Sequence, residues 1–113
     1  MSDLSLKHCV PCEGGVDPFD AEQTNEYLTK LDDDWSVSED GKEIHRDFKF
    51  KGFHRTMGFV NAVAWIANNE GHHPDMEVGY NHCHIHFTTH AIGGLSENDF
   101  ICAAKVDELL PRA

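Results

Sequence analysis

The sequence predicts an α+β domain: a four-stranded antiparallel sheet with three helices on one face, in the order α-β-β-α-β-β-α. Three observations carry this expectation. Apolar residues recur with a helical period over residues 53–69, whereas they alternate with polar ones at Met76, Val78 and Tyr80 and again over residues 83–89. Asp40-Gly41, a strong hairpin signal, separates two short strand-like runs. Two capping patterns, at Asp20 and at Ser96, open helices at the two ends of the domain.

The elements follow in order. Residues 1–19 are polar, broken by Pro11, Gly14, Gly15 and Pro18, and read as an irregular arm ahead of a domain spanning 20–113. Asp20 and Gln23 form a capping box, and Tyr27, Leu28 and Leu31 give the helix it opens an apolar stripe. Residues 35–38 form a strand. After the turn the chain returns with Ile44, Phe48 and Phe50 on one face, until Gly52 breaks the pattern. The central helix has one ridge of Met57, Val60, Ala64 and Ala67 and a second of Phe59, Val63 and Ile66. Gly71 and Pro74 end it, because glycine relaxes the backbone and a residue before proline avoids the helical region. Asn81 and His82 connect the third and fourth strands, and Gly93-Gly94 makes a loop. The last helix begins at Ser96, has an acid, Asp99, at its third position, and runs through residues 106–110 to Pro111.

A chain of 113 residues holds one small domain and leaves no room for a second, cofactor-binding one. The 9 basic and 20 acidic residues give a formal charge of −11, which disfavours nucleic acid and anionic membranes as partners. No segment approaches the ~20 apolar residues that span a bilayer. MSDLSLKH shows no apolar signal core, so a cytoplasmic location is expected, with Cys9, Cys12, Cys83 and Cys102 reduced. A small core with a sheet face or edge to cover favours an oligomer over a monomer.

Nine histidines are a large excess, and imidazole titrates nearest neutral pH. His72-His73 stand at the end of a helix. His82, His84 and His86 alternate on one face of a strand, with Cys83, Ile85 and Phe87 on the other, and His90 follows. Three readings are open for these groups: solvated or interface residues, metal ligands, or acid/base catalysts whose protonation is set by one another. HExxH, paired Cys-x-x-Cys and 2-His-1-carboxylate spacings are all absent from the sequence, so no metal ligand is assigned. Cys9-x-x-Cys12 lies in the arm rather than at a helix start after a strand, and reads as a surface pair.

The run Glu70-Gly-His72-His73-Pro74, followed by Tyr80, His90 and Asp99, resembles the signature of the pterin-4a-carbinolamine dehydratases. The likeness covers roughly residues 20–110 and includes Asp34-Trp35, Phe48-Lys-Phe50 and Gly94-Leu95-Ser96. It implies the same α-β-β-α-β-β-α fold. It also implies that His72, His73 and His90 are catalytic and that Asp99, Trp35 and Thr89 serve the substrate. Two departures concern the tuning of the histidines: Asn68 stands where many members carry Glu, and Gly71 where some carry Asp.

The implied reaction is dehydration of a 4a-hydroxytetrahydropterin to quinonoid dihydropterin, recycling pterin for aromatic amino acid hydroxylases. Only proton transfers are needed, so neither a cofactor nor a metal is expected. A tetramer built from dimers is implied as well. Animal relatives also serve as dimerisation partners of a transcription factor, which makes a non-catalytic binding module the alternative. Such a module has no use for the His-His-Pro…His set.

Overall fold

The computed structural model describes residues 3–11 and 16–110. It contains three α-helices and a four-stranded antiparallel sheet, the predicted class. The helices are α1 (Ala21–Leu28), α2 (Phe53–Glu70) and α3 (Glu97–Asp107). The strands are β1 (Ser36–Val37), β2 (Ile44–Lys49), β3 (Asp75–Val78) and β4 (His82–Phe87), in the spatial order β1-β2-β4-β3. None of the helices is long and apolar enough among the described residues to cross a membrane.

Local chemistry explains where each element starts and stops. The expected capping box opens α1: Asp20 Oδ1 accepts from the Gln23 amide at 2.8 Å, and Gln23 Oε1 accepts from the Asp20 amide at 3.1 Å. The helix ends at Leu28, so Leu31 sits in the turn beyond it, where it is buried nonetheless. Tyr80 was expected to continue the third strand, but it lies outside and is 70% exposed. The cause is a tight turn, in which the Gly79 amide donates to the His82 carbonyl and ends β3 at Val78. The fourth strand likewise stops at Phe87, short of residue 89, and Thr89 pairs alone with Gly94. The last helix ends at Asp107 and leaves Leu109 and Leu110 to a turn. Pro111, Gly14, Gly15 and Cys12 lie outside the described residues.

The two faces of β4 divide as the alternation predicts. Cys83, Ile85 and Phe87 are at most 1% exposed and meet the helices, while His82, His84 and His86 are half-buried on the open side. Ile44, Phe48, Phe59, Val63, Phe100 and Ile101 complete the core with them. Each fully buried apolar side chain of this size stabilises the fold by about 1.5–3 kcal/mol.

Helix α3 is covered on nearly every side, with eight of its residues buried. One cover is the N-terminal arm, which is anchored along its described length. Leu4, in a short 3-10 turn (Leu4–Leu6), is 3% exposed within the core. Lys105 Nζ donates to the Ser5 carbonyl at 2.8 Å, and Lys7 pairs with Glu97 at 2.9 Å. Cys9, expected at the surface, is half-buried, with its Sγ 3.5 Å from Cys102 Sγ.

Candidate active site

A cleft of about 440 Å3 opens where four segments converge. The turn after α2 contributes His72 and His73, the end of β4 and the next turn contribute Thr88 to Ala91, α3 contributes Asn98, and the arm contributes Cys9, Val10 and Pro11. Sites for small organic ligands typically measure about 300–1,000 Å3, so the volume suits a small organic molecule.

Gly71 sets the entry of the two histidines. It adopts a left-handed conformation (φ 64°) at the end of α2, which a residue with a Cβ takes only at a cost. The chain then turns sharply enough that His72 enters the cleft 12% exposed, its ring parallel to Phe87 at a centroid distance of 6.2 Å. His72 Nε2 lies 2.6 Å from Asp99 Oδ1. A carboxylate can only accept, so Nε2 holds the proton and the neutral ring has its lone pair on Nδ1.

Asp99 is fully buried and has all of its bonds inside the protein. Its Oδ2 accepts from Thr89 Oγ1 at 2.8 Å and from the Ser96 amide at 3.0 Å. The Ser96 bond belongs to the capping box that opens α3. One carboxylate therefore starts a helix and orients a histidine at the same time. His73 is more open, and Asn68 Oδ1 accepts from its Nε2 at 3.2 Å. His90 is exposed at the cleft rim.

Four of the six expected site residues line this cleft: His72, His73, His90 and Thr89. Asp99 stands one layer behind, reaching the cleft only through His72 and Thr89. Trp35 lies elsewhere. It is 5% exposed in the core, its Nε1 donates to Asp107 Oδ1 at 2.8 Å, and Phe87 intervenes between its ring and His72.

Sequence reasoning missed the arm as a wall. Asn98 holds it by a reciprocal pair, accepting from the Val10 amide at 3.1 Å and donating to the Val10 carbonyl at 2.6 Å. Glu70, only 5% exposed, accepts from the Cys9 amide at 2.7 Å and contacts His8 Nδ1 at 3.0 Å. Burial opposes ionisation of Glu70, but these bonds and the charge of Lys105 outweigh it and hold the carboxyl below its ordinary value. The one sequence signal for this docking is Leu4 in an otherwise polar stretch.

The second histidine group sits on the open face of the sheet. His45 Nδ1 lies 3.0 Å from His84 Nε2, and the rings of His84 and His86 stack at 4.3 Å. His86 Nδ1 contacts Glu43 Oε1 at 2.8 Å, and its Nε2 contacts Glu77 Oε2 at 2.6 Å. Burial disfavours charge on His86, yet the two glutamates outweigh it and raise its pKa. Burial and then the neighbouring His86 lower that of His84.

Comparison with known proteins adds three findings. Residues 17–109 match the family described as pterin 4 alpha carbinolamine dehydratase. A Legionella pneumophila (strain Lens) protein named "Putative pterin-4-alpha-carbinolamine dehydratase" is 60% identical over 109 residues, 96% of each chain. A protein of the same name from Nitrosomonas eutropha is 56% identical over 97% of this chain and 96% of its own. Among solved structures, one titled a transcriptional coactivator/pterin dehydratase from Brucella melitensis superposes with a TM-score of 0.78. It is 31% identical and covers 82% of this chain and 98% of that one.

Proposed function

The chain belongs to the pterin 4 alpha carbinolamine dehydratase family, and on that premise we propose that it dehydrates a 4a-hydroxytetrahydropterin to quinonoid dihydropterin. One observation carries the reading. His72, His73 and His90, from two separate segments, line one cleft, and a buried carboxylate fixes the proton of the first.

The reaction removes the 4a hydroxyl as water and the N5 proton. A protonated imidazole donates to the departing hydroxyl, and a neutral one takes the proton from N5, so the enzyme ends with the protons it began with. Each such transfer contributes about 10²–10⁴-fold. His73 and His90 face the cleft openly and are placed to exchange protons with substrate. His72, anchored through Nε2, offers Nδ1 from a ring that cannot turn without breaking a short charge-assisted bond. Thr89 and Asp99 act as positioning residues behind it. No electrons are transferred and no water needs activating, so the chemistry calls for neither a redox cofactor nor a metal.

The experiment is a stopped-flow assay of quinonoid dihydropterin formation from synthetic 4a-hydroxytetrahydropterin. Acceleration by the protein is expected, and an unchanged rate at saturating protein overturns the proposal. The physiological role that follows is recycling of pterin for an aromatic amino acid hydroxylase.

Exposed apolar side chains on α2 and at or just after β3, Phe53, Trp65, Val78 and Tyr80, favour assembly into the tetramer built from dimers that the family implies. Light scattering at micromolar concentration should give at least twice the 12.7 kDa of one chain. A second reading, a partner-binding module without catalysis, draws on the coactivator half of the Brucella protein's title. It predicts that loss of the cleft histidines leaves the biological role intact.

A further inference from the structure

We propose that the open face of the sheet is a binding site for a first-row divalent transition ion of the zinc type, formed by His84, His86 and Glu77, with His45 beside them for a fourth position. The site shares no residue with the cleft and is independent of the dehydratase reading.

The strand register assembles it. β3 and β4 pair so that Glu77 stands opposite His84, and β2 and β4 pair so that His45 stands opposite His86. Opposed residues in an antiparallel pair project from the same face, here the one turned away from Cys83, Ile85 and Phe87. Ligand atoms of Glu77, His84 and His86 all lie within 4.8 Å of one another. A tetrahedral ion with bonds of about 2.0–2.1 Å needs its ligands roughly 3.4 Å apart, an adjustment that half-exposed side chains make by small rotations.

The surroundings suit an ion as well as the spacing does. Glu43 Oε1 accepts from His86 Nδ1 at 2.8 Å and Glu77 Oε2 accepts from Nε2 at 2.6 Å, so an ion entering between His86 and Glu77 takes the place of the Nε2 proton while Glu43 keeps that of Nδ1. A carboxylate behind a ligating imidazole is the usual outer support of such a ligand. His45 and His84 share one proton across 3.0 Å, and an ion taking the lone pair of His84 Nε2 would free that contact. A donor set of imidazoles with one carboxylate selects zinc, nickel or copper over magnesium or calcium, which prefer oxygen throughout. The sequence spacing alone assigned no ligand set, because Glu77 and His45 come from other strands.

The test uses the full chain, stripped with a chelator and titrated with zinc chloride against a chromogenic competitor. One zinc per chain is expected. Glu77→Gln and His84→Ala should each weaken binding by about tenfold or more. Glu77 is exposed, so its variant isolates ligation from folding. His82→Ala, on the same strand face, and His73→Ala, in the cleft, should bind zinc as the parent does. Cobalt(II) in place of zinc should show the intense visible bands of a four-coordinate ion, lost in Glu77→Gln. Failure of the parent to bind zinc overturns the proposal. So does zinc binding that survives both ligand variants, or that is lost equally in His73→Ala.

Discussion

The molecule holds two groups of histidines in opposite settings. In the cleft, His72 is fixed by a carboxylate that is itself fully buried and bonded twice more, while His73 and His90 stay open to a cavity walled by four segments. On the sheet, the rings of His45, His84 and His86 form a triangle, flanked by glutamates that are themselves partly in water. The residue type is the same in both places. The difference lies in what restrains the rings: internal support at a walled cleft suits proton transfer at a fixed position, whereas a half-exposed cluster that can adjust suits capture of an ion. Acid/base work requires geometry held to a fraction of an ångström, and the support behind His72 supplies it.

The largest effect that separates the groups is on turnover. His73→Ala should slow the chemical step by about 10²-fold, or about 2.7 kcal/mol of transition-state stabilisation, with His72→Ala and His90→Ala also impaired. His86→Ala and His82→Ala should stay within about twofold of the parent. Rates for these variants, measured beside their melting temperatures, check the contrast, which breaks if losses follow stability rather than location. A folded His73→Ala protein with parental turnover removes the catalytic assignment.

A smaller effect sharpens the role of Asp99. Asp99→Asn keeps an acceptor but turns an amide donor toward a partner that also donates, either His72 Nε2, Thr89 or the Ser96 amide. We expect kcat to fall by on the order of tenfold with KM little changed, because His72 loses the acceptor that fixes its Nε2 proton. Stability should fall by about 1–3 kcal/mol, since a buried polar group is left poorly matched. An unaltered kcat in folded Asp99→Asn protein would make Asp99 a helix cap and nothing more.

The smallest effect concerns the arm. Glu70 is held below the ordinary carboxyl value of 4.5, so its ionised form favours the folded state. That contribution is complete above the unfolded value and disappears as pH falls through the folded one. Melting curves of the parent and Glu70→Gln should therefore differ at neutral pH, begin to approach one another as pH falls past 4.5, and converge only below the folded value. A constant gap from pH 7 to pH 3 would show that the charge of Glu70 contributes nothing.

Much of this architecture could be read along the chain because its causes are local. A capping box involves residues three apart, a helical ridge four apart, and the faces of β4 two apart, so Asp20, Val63 and Ile85 announced their positions. His72 and His73 were legible as a pair because Gly71 and Pro74 bracket them, whereas their role and that of His90 came from the family resemblance. Contacts fixed by which strand lies next to which were not. β2 pairs with β4 across the whole of α2 and β3, and no local period reports that His45 will meet His84. The arm was read as irregular because its partners, Glu70, Asn98 and Lys105, are 61 to 100 residues away. Trp35 was expected beside the substrate, but the resemblance could not show that Asp107 and Phe87 hold it in the core.

The embrace of α3 by the arm bears on how the protein comes into being. The arm and the helix it covers lie 88 to 100 residues apart, so during synthesis the two can meet only after the sheet and the central helix between them have emerged. Contacts of such long separation cost the most loop-closure entropy and form late in folding. The cleft takes one wall from that final closure, so a nascent chain can hold its sheet and central helix in place while its binding cavity still lacks a side.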